Sequence, residues 1–250
     1  MANGFDPRAT ARPQSTRFGA GAGVEQDAAA FSAGLRSYML SVYNYMASGV
    51  LLTGIVALLF ANSEFGRNIL INGGPLRYVI MFAPLAFVMV MSFGINRISQ
   101  GTLQLLFWAF AAVMGLSMSS IVLVFTGESI ATTFFAVAAA FAGLSLWGYT
   151  TKKDLSGLGT FLIMGVFGLL IASLINLFLQ SSALQLMVSF VGVLVFAGLT
   201  AYDTQKIKSL YFHVAGTDMM GKTIIMGALN LYLDFVNMFT FLLNFMGQRD

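Results

Sequence analysis

The chain has 250 residues, 58% of them hydrophobic and only 9% charged, with a formal net charge of +3 and a mean hydropathy of +0.82. A soluble domain carries about 25% charged residues, so this composition excludes a water-soluble globule and makes lipid the expected solvent. There is no cysteine, which excludes disulfides and thiolate chemistry.

Residues 1–35 are polar, small and arginine-bearing, and they lack the short apolar core of a cleavable leader. They read as a disordered cytoplasmic tail ahead of a seven-helix domain over 36–250. Charges are then absent from 37–63, 78–96, 98–127, 129–151 and 155–202. A bilayer core about 30 Å thick needs about 20 helical residues. Each of the first four runs fits one span. The fifth is 48 residues long and fits two, broken at Gln180-Ser181-Ser182. A last span, 223–246, encloses Asp234. The predicted helices are therefore 38–61, 77–95, 101–125, 130–150, 157–179, 184–204 and 223–246. Lipid offers backbone groups no partner outside their own helix.

The connection 62–77 is read as an outward loop, with Gly73-Gly74-Pro75 marking a turn. Gly and Ser recur in MGLSMSS (114–120) and GVFGLL (165–170), where small residues let helices approach closely. With the N-terminus inside, the cytoplasmic segments hold ten of the 13 Lys and Arg residues. The other side keeps Arg67, Arg77 and Arg249. This is the positive-inside pattern, and it predicts N-in and C-out. It also accounts for the basic balance without nucleic acid.

GTDMMGKT, residues 216–223, matches the phosphate-cradling P-loop letter for letter. A true P-loop follows a buried strand and opens a soluble helix; here the motif opens a membrane span. A milder expectation is that Gly221, Lys222 and Thr223 cap that span and meet lipid phosphate. His213, the sole histidine, falls in a predicted polar loop, and no zinc or serine-hydrolase signature is visible. An enzyme is therefore not expected. Tyr202-Asp203 matches half of the intramembrane aspartyl protease signature, but LYLD (231–234) lacks the glycines of the other half.

Polar residues form stripes on the last two spans. Asn230, Asp234, Asn237 and Asn244 lie within about 80° of one another at about 100° per residue, and so do Gln185, Ser189, Gly192, Thr200 and Asp203. These faces are expected to turn inward, towards each other or a wet cavity, and their polar residues are candidates to line a path. An ionised carboxylate near mid-bilayer costs about 2.5–3.5 kcal/mol on insertion scales. Asp234 must therefore be protonated, paired or hydrated. If Asp203 and Asp234 approach, they cannot both ionise cheaply and share one proton, which makes a pH sensor. Carboxylates and amide oxygens also suit Ca²⁺. Arg97 lies at a depth compatible with pairing to Asp203.

AGLTAYDTQKIK (197–208) and MGALNLYLDFVNMF (226–239) resemble the Bax inhibitor-1 family, in its bacterial inner-membrane branch. The resemblance covers about 30–247 and implies six helices around a central C-terminal one. It also implies a passive, pH-sensitive Ca²⁺ leak gated by an aspartate pair, onto which Asp203 and Asp234 map, with Arg97 as the latching arginine. No cofactor is implied, and Ca²⁺ is the transported ion. A membrane-anchored protease is an implied partner of some relatives. A non-transporting protein that binds such a protease, and a proton-coupled transporter, are the competing expectations.

Overall fold

The computed structural model describes residues 20–249, with side chains from residue 30 onward. The chain folds as α1 (Ala20–Asn62), α2 (Glu64–Asn72), α3 (Gly74–Gly94), α4 (Gln100–Val124), α5 (Gly127–Thr150), α6 (Ser156–Leu179), α7 (Ser182–Val214) and α8 (Met219–Met246). Seven of these are long and apolar enough to cross a bilayer, α2 being the exception. Among the described residues, extended pairing is limited to one isolated bridge between Phe125 and Arg249. The protein is an all-α membrane protein with seven spans, as the charge-free runs predict.

Helix starts are set locally. Ser99, Thr126 and Ser181 each accept a hydrogen bond from the backbone N–H three residues on, at Thr102, Ser129 and Leu184. Such caps satisfy donors that no intrahelical carbonyl can reach. The α6–α7 break falls at Gln180-Ser181, where Gln180 takes a left-handed conformation at φ 48°.

Residues 38–250 form one packed unit. Within it α8 is the most enclosed span, with 61% of its apolar window buried against 11% in α3 and in α6. Its packing neighbours include α7, α5 and α4. Phe93 and Phe178, more than 80% exposed, show which faces of α3 and α6 meet the lipid. Close approaches are bought with glycine. Gly148 on α5 lies directly against the Ala201 backbone of α7, and a β-carbon there would overlap the Ala201 carbonyl. In the two small-residue stretches, Gly115 meets the Thr53 carbonyl and Gly165 meets Val195, whereas Gly168 faces open space.

Buried hydroxyls tie the spans together. Thr53 of α1 donates to the Ala111 carbonyl of α4 at 2.8 Å, so the 2.7 Å contact with Tyr232 of α8 has the tyrosine as donor. In the same way Tyr43 donates to Ser145, Ser145 to Thr204, and Thr204 to the Thr200 carbonyl.

Several expectations need correction. The connection 62–77 contains the nine-residue helix α2, started by Ser63, whose side chain accepts from Gly66. α7 runs ten residues past 204, so His213 sits in its last turn and not in a loop. α8 begins at Met219 with Asp218 at its N-cap, which places Gly221, Lys222 and Thr223 inside the helix rather than at its cap. α1 begins at Ala20, within the segment read as a tail; residues 1–19 lie outside the described residues, and so do Arg8, Arg12 and Arg17.

Candidate functional site

Antiparallel packing of α7 on α8, the most extensive helix pairing in the fold, brings Asp203 and Asp234 to one cavity of about 380 Å³. Tyr202, Lys206, Asn230 and Asn237 line it as well, and Ile163 and Val166 of α6 close one side. Asp234 is only 4% exposed, and its Oδ2 has no hydrogen-bond partner. Asp203 is half-buried. The two carboxylates lie close enough to interact electrostatically, and Lys206, one turn further along α7, acts on Asp203. Asn237 donates to the Leu233 carbonyl at 2.8 Å, so its amide nitrogen is tied to its own helix.

Of the polar residues expected to line a path, Asn230 and Asn237 lie at this cavity. The others are placed elsewhere. Gln185 accepts from Asn176 at 3.1 Å at the α6–α7 junction. Thr200 donates to the Phe196 carbonyl within its own helix, and Asn244 likewise to Thr240. Ser189 is fully buried with an unpartnered hydroxyl. Gly192 packs against the Phe241 ring. Helical phase alone put these residues on one stripe, but the α7–α8 contact covers most of that stripe and leaves it open only near the two acids.

Arg97 does not join the pair. It lies in the turn after α3, its side chain is exposed, and no contact with Asp203 or Asp234 appears among the described residues. The cation that reaches the end of α3 is Lys222, which donates to the Ile95 carbonyl at 3.1 Å. This use of Lys222, together with the Thr223 hydroxyl donating to the Met219 carbonyl, accounts for the lysine and threonine of the P-loop match as packing groups. Asp203 lies eleven residues before the end of α7 at Val214, not beside the helix end predicted at 204. Tyr202 and Lys206 were missed as lining residues. Lys206 carried a signal, because a position one turn beyond an inward acid shares its helix face; Tyr202, about 100° round the helix from Asp203, carried none.

With respect to metal, no group of three or more His, Cys, Asp or Glu side chains is assembled among the described residues. A tight Ca²⁺ site takes 6–8 oxygens. Two carboxylates and two amide oxygens make a weaker donor set, suited to an ion in passage rather than one held.

Comparison with known proteins adds the lineage. The family model described as "Inhibitor of apoptosis-promoting Bax1" matches residues 35–250. The chain is 47% identical over 220 residues to uncharacterized protein RP147 of Rickettsia prowazekii, covering 88% of this chain and 92% of that one. It is 45% identical over 219 residues to inner membrane protein YbhL of Escherichia coli K12, covering 87% and 94%. An uncharacterized protein of Caulobacter vibrioides is 44% identical over 224 residues, covering 86% and 90%. None of these names describes an enzyme. The chain belongs to the Bax inhibitor-1 family of membrane proteins.

Proposed function

We propose that this protein is a multi-pass inner-membrane channel, with its N-terminus cytoplasmic and its C-terminus outside, that leaks Ca²⁺ down its gradient under control of pH. The observation that carries the reading is the shared cavity of Asp203 and Asp234, with Asp234 buried and one of its oxygens unpartnered. A buried polar oxygen without a partner is costly, so such a group is retained for what it does.

The gate is the proton on that pair. The charged and titratable groups facing the cavity are Asp203, Lys206 and Tyr202 on α7 and Asp234 on α8. Two carboxylates here, with one lysine acting on the outer acid, do not both carry charge at low cost. They hold one proton between them and titrate as a unit. Losing that proton adds a negative charge to the α7–α8 interface, which attracts a divalent cation and loosens the helix contact. Asn230 and Asn237 supply neutral oxygens along the path. The protein carries out no covalent chemistry, and Ca²⁺ is cargo.

The test is Ca²⁺ entry into dye-loaded liposomes between roughly pH 6 and 8, an interval in which exposed carboxylates stay ionised. Asp203→Asn and Asp234→Asn should each flatten the pH response. Unchanged flux and an unchanged pH profile in both variants would sink the reading.

A further inference from the structure

A second polar pocket lies beside the first. The α5–α6 loop carries Lys152 and Lys153, and α7 carries Lys206; with Tyr202, Gln205 and Ser156 they line about 320 Å³. The loop is fixed and not draped. Gln205 accepts from the Leu155 N–H at 2.8 Å and donates to the Lys153 carbonyl at 2.8 Å, which clamps the loop backbone onto α7. The one acid present, Asp154, is already engaged, accepting from the Ser156 N–H at 2.9 Å. That bond also occupies the start of α6, so the helix terminus is not what makes this pocket attractive to an anion.

Three lysines therefore line this space, and no carboxylate forms an ion pair with any of them among the described residues. Lys206 rests over the Tyr202 ring at 5.9 Å, and both residues also line the aspartate cavity. Lysines gathered on a fixed loop suit a phosphate group, whose tetrahedrally arranged oxygens can be approached from several sides at once, better than a lone planar carboxylate.

We propose that this pocket binds a phosphate-bearing anion through Lys152, Lys153 and Lys206, and that occupancy draws Lys206 away from Asp203. The phosphate comes either from an anionic lipid headgroup or from a soluble ion. Because Lys206 belongs to both cavities, the two sites are linked, and the linkage is reciprocal in binding free energy. The coupling rests on the proximity of Lys206 to Asp203 and not on Ca²⁺ passage, so a failed flux assay leaves it standing.

The experiment uses the full-length protein in neutral detergent, titrated with short-chain phosphatidylglycerol, with inorganic phosphate and with short-chain phosphatidylcholine as the zwitterionic control of zero net charge, followed by calorimetry. Saturable binding of phosphatidylglycerol alone identifies a lipid headgroup, and saturable binding of inorganic phosphate as well identifies a soluble source. Either result supports the site. Lys152→Gln with Lys153→Gln should weaken binding roughly 25-fold, and adding Lys206→Gln should bring the loss to roughly a hundredfold. Arg77→Gln, which removes a positive charge at the start of α3, should leave binding within about twofold. Asp203→Asn should tighten binding about fivefold by removing the nearby charge that competes for Lys206. No saturable binding of either phosphate, or equal losses in the lysine and Arg77 variants, would overturn the site. An unchanged affinity in Asp203→Asn would overturn the coupling.

Discussion

The orientation of α8 sets whether Asp234 faces the cavity, and the Thr53–Tyr232 hydrogen bond is one of the contacts that hold it. Both residues are buried, at 5% and 0% exposure, and the oxygens are 2.7 Å apart. Tyr232→Phe deletes only the hydroxyl, since the ring stays in edge contact with Phe107 and Phe110 at 6.4 and 5.1 Å. Hydrogen bonds between membrane helices average about 0.6 kcal/mol and reach about 1.7. Tyr232→Phe should therefore cost about 0.6–1.7 kcal/mol. Thr53→Val costs more, because it strands the tyrosine hydroxyl in an apolar setting where an unpaired group loses about 1–3 kcal/mol. The double variant should cost less than the two singles together, with a coupling of at least about 0.5 kcal/mol. Unfolding in mixed detergent micelles measures all three. Additivity to within about 0.3 kcal/mol would show that the two hydroxyls do not support each other and that α8 is oriented by something else.

Three further outcomes follow from the packing and the loop. Gly148→Ala places a β-carbon on the Ala201 carbonyl and should destabilise by about 1–3 kcal/mol in the same unfolding assay; a neutral result would mean that α5 and α7 part without cost. Gln205→Leu removes both hydrogen bonds that clamp the α5–α6 loop, and tryptic cleavage after Lys152 and Lys153 should accelerate roughly tenfold, as a loss of about 1.4 kcal/mol implies. Asp154, outside the spans, is held below the usual carboxylate range by the Ser156 side chain and then by the Ser156 N–H. A carboxyl depressed on folding adds stability that is present above its unfolded value and lost as pH falls through its folded one. The protection factors of amides in the first turn of α6, taken relative to intrinsic exchange at each pH, should therefore fall in acid, and Asp154→Asn should remove that dependence; wild-type protection that shows no acid step would contradict the assignment.

The spans were legible because charge is so costly in lipid that its absence outlines them. The aspartate pair was legible for the same reason, since Asp203 and Asp234 interrupt otherwise apolar helices. What escaped the sequence was where one segment lies against another. The last ten residues of α7 carry Lys206 and Lys208 and look like a loop by hydropathy, yet nothing breaks the helix before Gly216, which takes φ +75°. α2 was announced only by a single capping serine, Ser63. Arg97 and Lys222 are equivalent by composition and depth, and only the fold shows that Lys222 makes the contact at the end of α3. The stripe on α7 was real in phase, but α8 covers most of it, which phase cannot report.

The claim that matters most is that Asp203 and Asp234 hold one proton between them near neutral pH. Infrared spectroscopy of the reconstituted protein at about pH 7, where exposed carboxylates are ionised, reads this directly through the protonated-carboxyl C=O band. The wild type should show that band, and Asp203→Asn and Asp234→Asn should each shift or remove it. A spectrum without it, or a band left untouched by both substitutions, would contradict the account.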